Sequence, residues 1–413
     1  MRDVLMTVLA VLLASPLCAA QDAARGVLMP FTVSGGVVVS DRARAADPDA
    51  ARAAPGFRAV FYPSLKVDSH WFAYSAIQVQ SRPFFYYDAF YPQKDVDVRV
   101  HQLLLGYSWN GEDSAVSVRI GELPSAFGSF PLRYDDSANP LLDQPLGYGY
   151  IVKLRPDQLP CGVGDLVHQH TYPLYIEHYC GGSTDQRRGM TAVTLEGLPG
   201  TEVSGSWKDF DGRFQVTNSS PSNPQDLRSD SQHIQWTAGA GYTIRQGLRV
   251  GVSGFRGPFL ENDVKALLDS GKSVRDYPAV GIGTEVQWGR GRWNAVAEWQ
   301  RIEFNYPGFE KPPAVSSAFL ELKATLNPRF YAAFRGGYES NGSVMDDSGG
   351  EAEHFLPNRQ SYEFAVGYRV NRFQTLKVGY EVFRTADVPG SQDNVFGVQF
   401  VTSVHALSKA FGN

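Results

Sequence analysis

The sequence predicts a closed antiparallel β-barrel that spans a membrane, and three observations lead to this prediction. Between Phe31 and Ala406, apolar and polar residues alternate in runs of about ten residues, the length of a tilted strand that crosses a bilayer. The connections between these runs alternate between short and long. No stretch after the amino-terminal segment approaches the roughly eighteen uninterrupted apolar residues that a membrane-spanning helix needs.

The alternation predicts sixteen strands. An even number returns both ends of the chain to the same side of the membrane, and a barrel of this size has room for an aqueous lumen. The predicted strands cover residues 31–41, 57–68, 70–82, 96–109, 113–122, 190–198, 201–208, 233–245, 247–256, 278–289, 291–304, 315–326, 328–339, 360–371, 374–385 and 394–406.

Seven short turns join these strands in pairs, and a longer connection separates each pair from the next. Bacterial outer-membrane barrels have short periplasmic turns and long outer loops, so the pattern predicts the orientation of each strand and an outer-membrane location. The turns are predicted at residues 68–70, 110–112, 198–200, 245–247, 289–291, 327–329 and 371–373.

The late strands show the two faces of the barrel most clearly. In strand 360–371, Tyr362 and Phe364 should face lipid while Glu363 faces inward. In strand 96–109 the alternation changes phase, and a β-bulge near His101 or Gln102 would keep both halves of the strand apolar on the lipid side.

Tryptophans near strand ends are typical of an aromatic belt at the membrane interface. The alternative, a soluble β-sandwich, requires neither sixteen strands nor an export signal.

The amino terminus is typical of a secretory signal peptide. Residues 1–20 combine Arg2, an apolar stretch and small residues at the expected cleavage site after Ala20. A lipoprotein signal with Cys18 as the acylated residue is the alternative, but Leu17 stands where a small residue is expected. Residues 21–413 are then predicted to form a single barrel domain. The net charge of −5 provides no basic surface for nucleic acid.

Residues 123–189 contain no convincing strand and form the third outer loop. A connection of this length inside a compact fold is usually functional. Cys161 and Cys180 lie within it, and two cysteines in an exported chain predict a disulfide, a cross-link that stabilises by about 3 kcal/mol. A metal site that also uses nearby histidines is the alternative, but the spacing matches no standard zinc pattern. Those histidines are His168, His170 and His178.

Charged residues are expected to line the lumen and its constriction. An acidic loop that faces a basic wall would create a transverse electric field, although for any single residue an ordinary solvated side chain is the simpler interpretation. The basic residues of the early strands are Arg58, Lys66, Arg82, Arg99, His101 and Arg119. The acidic residues of the loop are Asp135, Asp136 and Asp143.

Two segments of this loop, residues 123–133 and Asn139 to Pro145, are similar to segments of bacterial outer-membrane porins. The barrel architecture of the whole mature chain resembles that family as well. The resemblance implies a third loop that folds into the lumen and narrows it, a bilayer and small hydrophilic solutes as partners, and passive diffusion. Many porins are trimers, so the resemblance allows a homotrimer, although no residue of this chain specifies one.

No catalytic or cofactor-binding motif is apparent, and we expect neither an enzyme nor a cofactor. The mature amino terminus reaches the first strand within about ten residues, too few for the plug domain of an energy-coupled transporter. Two alternatives to a channel stay open. One is a structural or adhesin-like barrel without an open pore; the other is a barrel hydrolase, for which Ser183 and His178 would be the candidate pair.

Overall fold

A computed structural model describes residues 26–40, 53–81, 96–133, 135–149, 151–152, 154–167, 175–176, 179, 187–188, 190–195, 197–218, 220–223, 233–386 and 393–404. Sixteen long strands dominate it. They are β1 Phe31–Ser40, β2 Ala53–Phe61, β3 Trp71–Ser81, β4 Val96–Asn110, β5 Ser114–Leu123, β6 Leu198–Trp207, β7 Phe210–Thr217, β8 Gln235–Arg245, β9 Leu248–Pro258, β10 Pro278–Arg290, β11 Trp293–Phe304, β12 Ala314–Thr325, β13 Phe330–Asn341, β14 Arg359–Arg369, β15 Gln374–Thr385 and β16 Asp393–Val404. The predicted signal peptide lies outside the described residues and stays a prediction.

Every long strand pairs antiparallel with the next one along the chain, and β16 pairs with β1 to close the barrel. Closure removes the sheet edges whose unpaired backbone groups could not be satisfied in lipid. The short strand Ser64–Lys66 continues β2 along β3 and pairs with Gly26–Leu28. The predicted fold class, an antiparallel barrel of sixteen strands, is confirmed.

The two faces of the strands alternate as predicted. In β14, Tyr362, Phe364 and Val366 are 40 to 54% exposed, whereas Glu363 and Ala365 are at most 4% exposed. In β15, Val378 and Tyr380 face outward while Lys377 is buried on the inner face. A charged group at the lipid face would cost a few kcal/mol, which determines the register of these strands.

The predicted β-bulge is present in β4. Ala76 pairs with Gln102 and Ile77 pairs with Val100, so His101 is the extra residue. Val96, Val98 and Val100 before the bulge, and Leu103, Leu105 and Tyr107 after it, are all exposed on the outer face. The bulge therefore corrects the phase of the alternation, so that both halves of a fifteen-residue strand present apolar side chains to lipid.

Two predicted elements in the region between β5 and β7 are wrong. The predicted strand 190–198 does not cross the barrel: Met190–Thr191 pairs only with Ile151–Val152, and Ala192 and Val193 are buried against the loop. The predicted turn at 198–200 is instead the start of β6, where residues 198–200 pair with β5. Proline is tolerated there because it is next to the first residue of the strand.

The hairpin turn of this region lies at Lys208 and Asp209, between β6 and β7. Lys208 has a φ of 52° in the left-handed region, which glycine usually occupies, so the turn carries no glycine or proline to reveal it. The sequence therefore missed β7. One false strand and one missed strand compensate, which is why the predicted total still agrees with the structure.

The long connections pack together at the ends of the strands opposite the short turns. Buried side chains of residues 151–195 contact those of the connections after β9, β11 and β13, and we call this cluster the apolar cap. Its members include Leu154, Val163, Leu166, Tyr179, Met190, Val193, Phe259, Val264, Val274, Tyr306, Val344, Phe355 and Leu356. The backbone N–H of Val163 donates to Asp346 at 2.9 Å, which joins the short helix Val163–Val167 to the connection after β13. Within the described residues, no helix has the length and apolar character required to cross a membrane.

Candidate functional site

The inner face of the barrel is polar, and the first part of the third loop lies against it. We call residues 124–149 the loop segment. The N–H of Ala126 donates to Gln215 of β7 at 2.9 Å, and the N–H of Gly128 donates to Ser253 of β9 at 3.0 Å. Both acceptors are side chains that the strand alternation turns inward, so the loop segment satisfies its backbone groups on the barrel wall.

Glu298 of β11 holds the loop segment by three hydrogen bonds. The backbone N–H and the hydroxyl of Ser129 donate to one carboxylate oxygen at 3.0 and 2.6 Å, and the hydroxyl of Tyr148 donates to the other. Tyr148 lies in the short helix Leu146–Gly149. Through these three hydrogen bonds, one carboxyl group joins residues near the two ends of the loop segment.

Arg335 of β13 and Lys377 of β15 bind the middle of the loop segment. Arg335 donates to the Asp143 carbonyl at 2.6 Å and to Asn139 at 3.0 Å. Lys377 donates to the carbonyls of Asp136, Asn139 and Leu141 at 2.6, 2.7 and 3.1 Å. Both cations are at most 2% exposed, and they supply the donors that these otherwise buried carbonyls require.

At Asp135 and Asp136 the loop segment reaches β1 and β2. The guanidinium of Arg58 on β2 donates two hydrogen bonds to Asp136, and the hydroxyl of Ser34 on β1 donates a third. Tyr62 donates to Asp135. Within the described residues, the hydrogen bonds of the loop segment therefore extend from β7 through β15 to β1 and β2.

Burial alone would raise the pKa of Asp136, but Arg58, Lys377 and the hydrogen bond from Ser34 together hold this pKa below the ordinary value of 3.8. Stability from a lowered carboxyl pKa is fully present above the unfolded-state pKa and is lost as the pH falls through the folded-state pKa. We expect the loop segment to resist proteolysis at pH 7 and pH 5, and to become sensitive to an acid-active protease below about pH 3.8.

Asp136→Asn should remove this pH dependence by making the loop segment more sensitive at neutral pH. The matched control is Asp269→Asn, because Asp269 is exposed and far from the loop segment in sequence. Limited proteolysis of the folded protein across the pH range measures both variants. Equal pH profiles for Asp136→Asn and the wild type would contradict the role assigned to Asp136.

The structure places the remaining predicted site residues as follows. Arg99 pairs with Asp97 on its own strand, and Arg119 lies 3.3 Å from Glu202 on β6. His101 is 5% exposed, and its Nδ1 lies 3.2 Å from the Leu195 carbonyl. Lys66 is exposed at the turn end. The Asp143 backbone N–H lies 3.3 Å from Glu363.

Two predicted site residues, Arg82 and Cys180, lie outside the described residues. Cys161 lies just before the helix Val163–Val167, but the Cys161–Cys180 disulfide stays a prediction. The three histidines of the alternative metal site also fall outside. Among the described residues, no group of three or more His, Cys, Asp or Glu side chains is arranged to hold a metal ion.

Two cavities lined largely by polar residues lie towards the short turns, one beside β3 to β5 and the other between the loop segment and strands from β4 to β10. One has a volume of about 480 Å³ and is bordered by Lys66, His70 and Gln102. The other has a volume of about 510 Å³ and is bordered by Ser117, Ser204 and Asp211. Ser108, Asn110 and Arg119 border both cavities, so the two adjoin at β4 and β5.

Four inner-face residues that hold the loop segment were not among the predicted site residues. They are Glu298, Arg335, Glu363 and Lys377. Their inward phase was available from the alternation of β11, β13, β14 and β15. Their common contact, the loop segment, was not available, because the chain separates them from it by more than 100 residues.

The sequence matches no protein-family model, and no curated protein is recognisably similar to it. Solved structures match the fold. An anion-selective porin from Comamonas acidovorans is 9% identical over 92% of this chain and all of that chain, with a TM-score of 0.54. OmpF of Salmonella typhi, solved with daunomycin, is 11% identical over 92% of this chain and 97% of that chain, with a TM-score of 0.52.

OmpT, an outer-membrane protein of Vibrio cholerae, is 9% identical over 94% of this chain and all of that chain, with a TM-score of 0.51. At such low identity these matches establish the fold alone. The fold is that of bacterial outer-membrane porin-like barrels, as the sequence predicted, and the predicted outer-membrane location agrees with it.

Proposed function

We propose that this protein is a non-catalytic channel through which small hydrophilic solutes cross the bacterial outer membrane by passive diffusion. The observation that carries the proposal is the pair of adjoining polar cavities inside a closed barrel whose outer face is apolar. A structural barrel without a pore does not require internal space lined by serine, asparagine and arginine side chains. The loop segment would narrow the lumen on the side of β7 to β15.

Planar-bilayer recording of the detergent-folded protein tests the proposal. Steady, ohmic single-channel steps are expected, and heat-denatured protein should produce none. A closed barrel that inserts but carries no current would overturn the proposal in favour of a structural or adhesin-like barrel. Hydrolysis of ester or peptide substrates by the purified protein would overturn the non-catalytic part of it.

Two adjacent residues of β6 provide a matched pair of variants for this recording. Ser204 borders the larger cavity, whereas Val203 is 47% exposed on the outer face. Ser204→Trp should lower the single-channel conductance measurably, because a bulky indole then occupies part of the cavity. Val203→Trp adds the same side chain on the lipid side and should leave the conductance unchanged. Equal conductance in the two variants would contradict the assignment of this cavity to the conducting path.

The predicted disulfide adds a test of the third loop. If Cys161 and Cys180 are cross-linked, reduction removes about 3 kcal/mol of loop constraint. We therefore expect reduction to increase current noise and protease sensitivity in the loop, and Cys161→Ser to reproduce both effects without a reductant. Mass spectrometry of the unreduced protein checks the cross-link directly, and two free thiols would contradict it.

A further inference from the structure

Four arginines converge on the larger cavity, although they come from separate parts of the chain. Arg119 lies on β5, Arg213 on β7, Arg249 on β9 and Arg133 at the loop segment, and all four border the same 510 Å³ space. The sequence separates them by up to 130 residues, so only the closure of the barrel and the position of the loop segment bring them together.

Two of these arginines form ion pairs with carboxylates of neighbouring strands. Arg249 is paired with Asp211 at 2.6 Å and also with Glu285. Arg119 is paired with Glu202, which is 1% exposed. These pairs neutralise each other and hold the cavity wall in place, so Arg249 and Arg119 have little unused charge.

The charges of Arg133 and Arg213 are less fully paired than those of Arg119 and Arg249. Arg213 has no carboxylate within 4.0 Å among the described residues, and its one hydrogen bond is a long one of 3.4 Å to the Ala126 carbonyl. Among the described carboxylates, Arg133 pairs only with Glu321, at 3.7 Å, and Arg335 already binds that carboxylate at 2.7 Å. The Arg133 guanidinium also lies 5.8 Å from the centre of the Phe130 ring. The Nε and Nη2 atoms of Arg133 are buried and have no hydrogen-bond acceptor in the described part of the chain.

The Arg133 side chain is 29% exposed and borders the cavity together with Arg213, so an anion in the cavity would add acceptors to two weakly paired cations. Guanidinium groups present paired N–H donors that match the oxygens of carboxylate and phosphate groups. Ser117 and Ser204 border the same cavity and add hydroxyl donors. The volume is within the range of cavities that bind small molecules.

We infer that this cavity is a binding site for a small oxyanion, a carboxylate- or phosphate-bearing solute, held by Arg133 and Arg213 with Arg119 at its edge. The inference deepens the proposed function and rests on it for its biological role, because the site would lie on the diffusion path. The binding itself does not depend on the proposed function, because it can be measured on the folded barrel whether or not the barrel conducts.

Equilibrium binding to the detergent-folded protein tests the site without any current. Inorganic phosphate and succinate are titrated separately by calorimetry, and the two arms distinguish phosphate-bearing from carboxylate-bearing solutes. Binding of either one supports the site. Arg213→Gln and Arg133→Gln should each weaken it about tenfold or more, because each removes charged donors from the anion. The control Arg290→Gln changes the charge equally at an exposed residue outside the cavity and should bind as the wild type does.

Recording in a salt gradient adds the second measurement. The wild type should show a reversal potential that favours anions, and Arg213→Gln should reduce this preference. Binding without conductance would overturn the channel and leave the site intact. Conductance with no binding of either anion, or with equal binding and ion selectivity in Arg213→Gln and Arg290→Gln, would overturn the site and leave the channel intact. Circular dichroism of each variant shows whether it has folded.

Discussion

Replacing Arg335 with glutamine should destabilise the folded barrel by about 3–5 kcal/mol and release the loop segment. Arg335 is 2% exposed and lies between Glu321 at 2.7 Å and Glu363 at 3.3 Å. Without its positive charge, the buried carboxylate of Glu363 loses its counterion, and Glu321 keeps only Arg133, 3.7 Å away. The carbonyl of Asp143 also loses its charged donor.

Urea unfolding of the detergent-folded protein measures this loss, and single-channel recording shows whether the released loop segment changes the conductance. Arg369→Gln is the matched control, because Arg369 is exposed at the turn end of β14 and should change the stability by no more than about 0.5 kcal/mol. Glu321→Gln and Glu363→Gln, added to Arg335→Gln, should recover much of the loss by removing the unpaired charges. A loss below about 1 kcal/mol for Arg335→Gln alone would show that the buried ion pairs do not hold the loop segment.

Replacing Gly397 with valine should displace the loop segment from the inner face of β16, where Leu142 packs. A Cβ atom at this position would lie 2.7 Å from the Cδ1 of Leu142, a distance too short for two carbon atoms, and its next neighbours are at 3.9 Å. Valine is otherwise favoured over glycine in a strand, so a loss of stability would come from the contact with Leu142. We expect a loss of about 1–3 kcal/mol and faster proteolysis of the loop segment.

A double variant separates this contact from a general effect on β16. Leu142→Ala removes the atoms that the new side chain meets, so Gly397→Val should cost little in that background. Gly212→Val is a second control, since a Cβ there would meet only the Gly239 carbonyl at 3.6 Å. Additive losses in the double variant would contradict the idea that Gly397 is small because Leu142 packs on it.

Local sequence patterns predicted the bulge in β4 but not the β6–β7 hairpin, and the difference has a physical cause. Lipid demands an apolar side chain at every outward position, so a change of phase within one strand requires an extra residue, here His101. The hairpin gave no such signal, because its turn uses Lys208 in a left-handed conformation while Leu198-Pro199-Gly200 has turn chemistry inside a strand. Turn residues express local preferences, and pairing with β5 overrides them.

The same limit applies to the lumen. Asp136 and Arg58 were both expected at the constriction, but the sequence did not show that they are in direct contact. Asp143 was expected to face the basic residues of the early strands. Its backbone instead lies beside Arg335 of β13 and Glu363 of β14. Which charges neutralise each other depends on the path of the loop segment, and that path depends on side chains of seven or more strands.

The sequence alone determined the membrane-spanning barrel and the face of most residues, because a lipid solvent imposes a period-two pattern that is local to each strand. Only the tertiary structure decided how the third loop meets the wall, which charges are paired and where four distant arginines converge. Those features arise from contacts between residues far apart in the chain, and barrel closure, which no single strand encodes, is what brings them together.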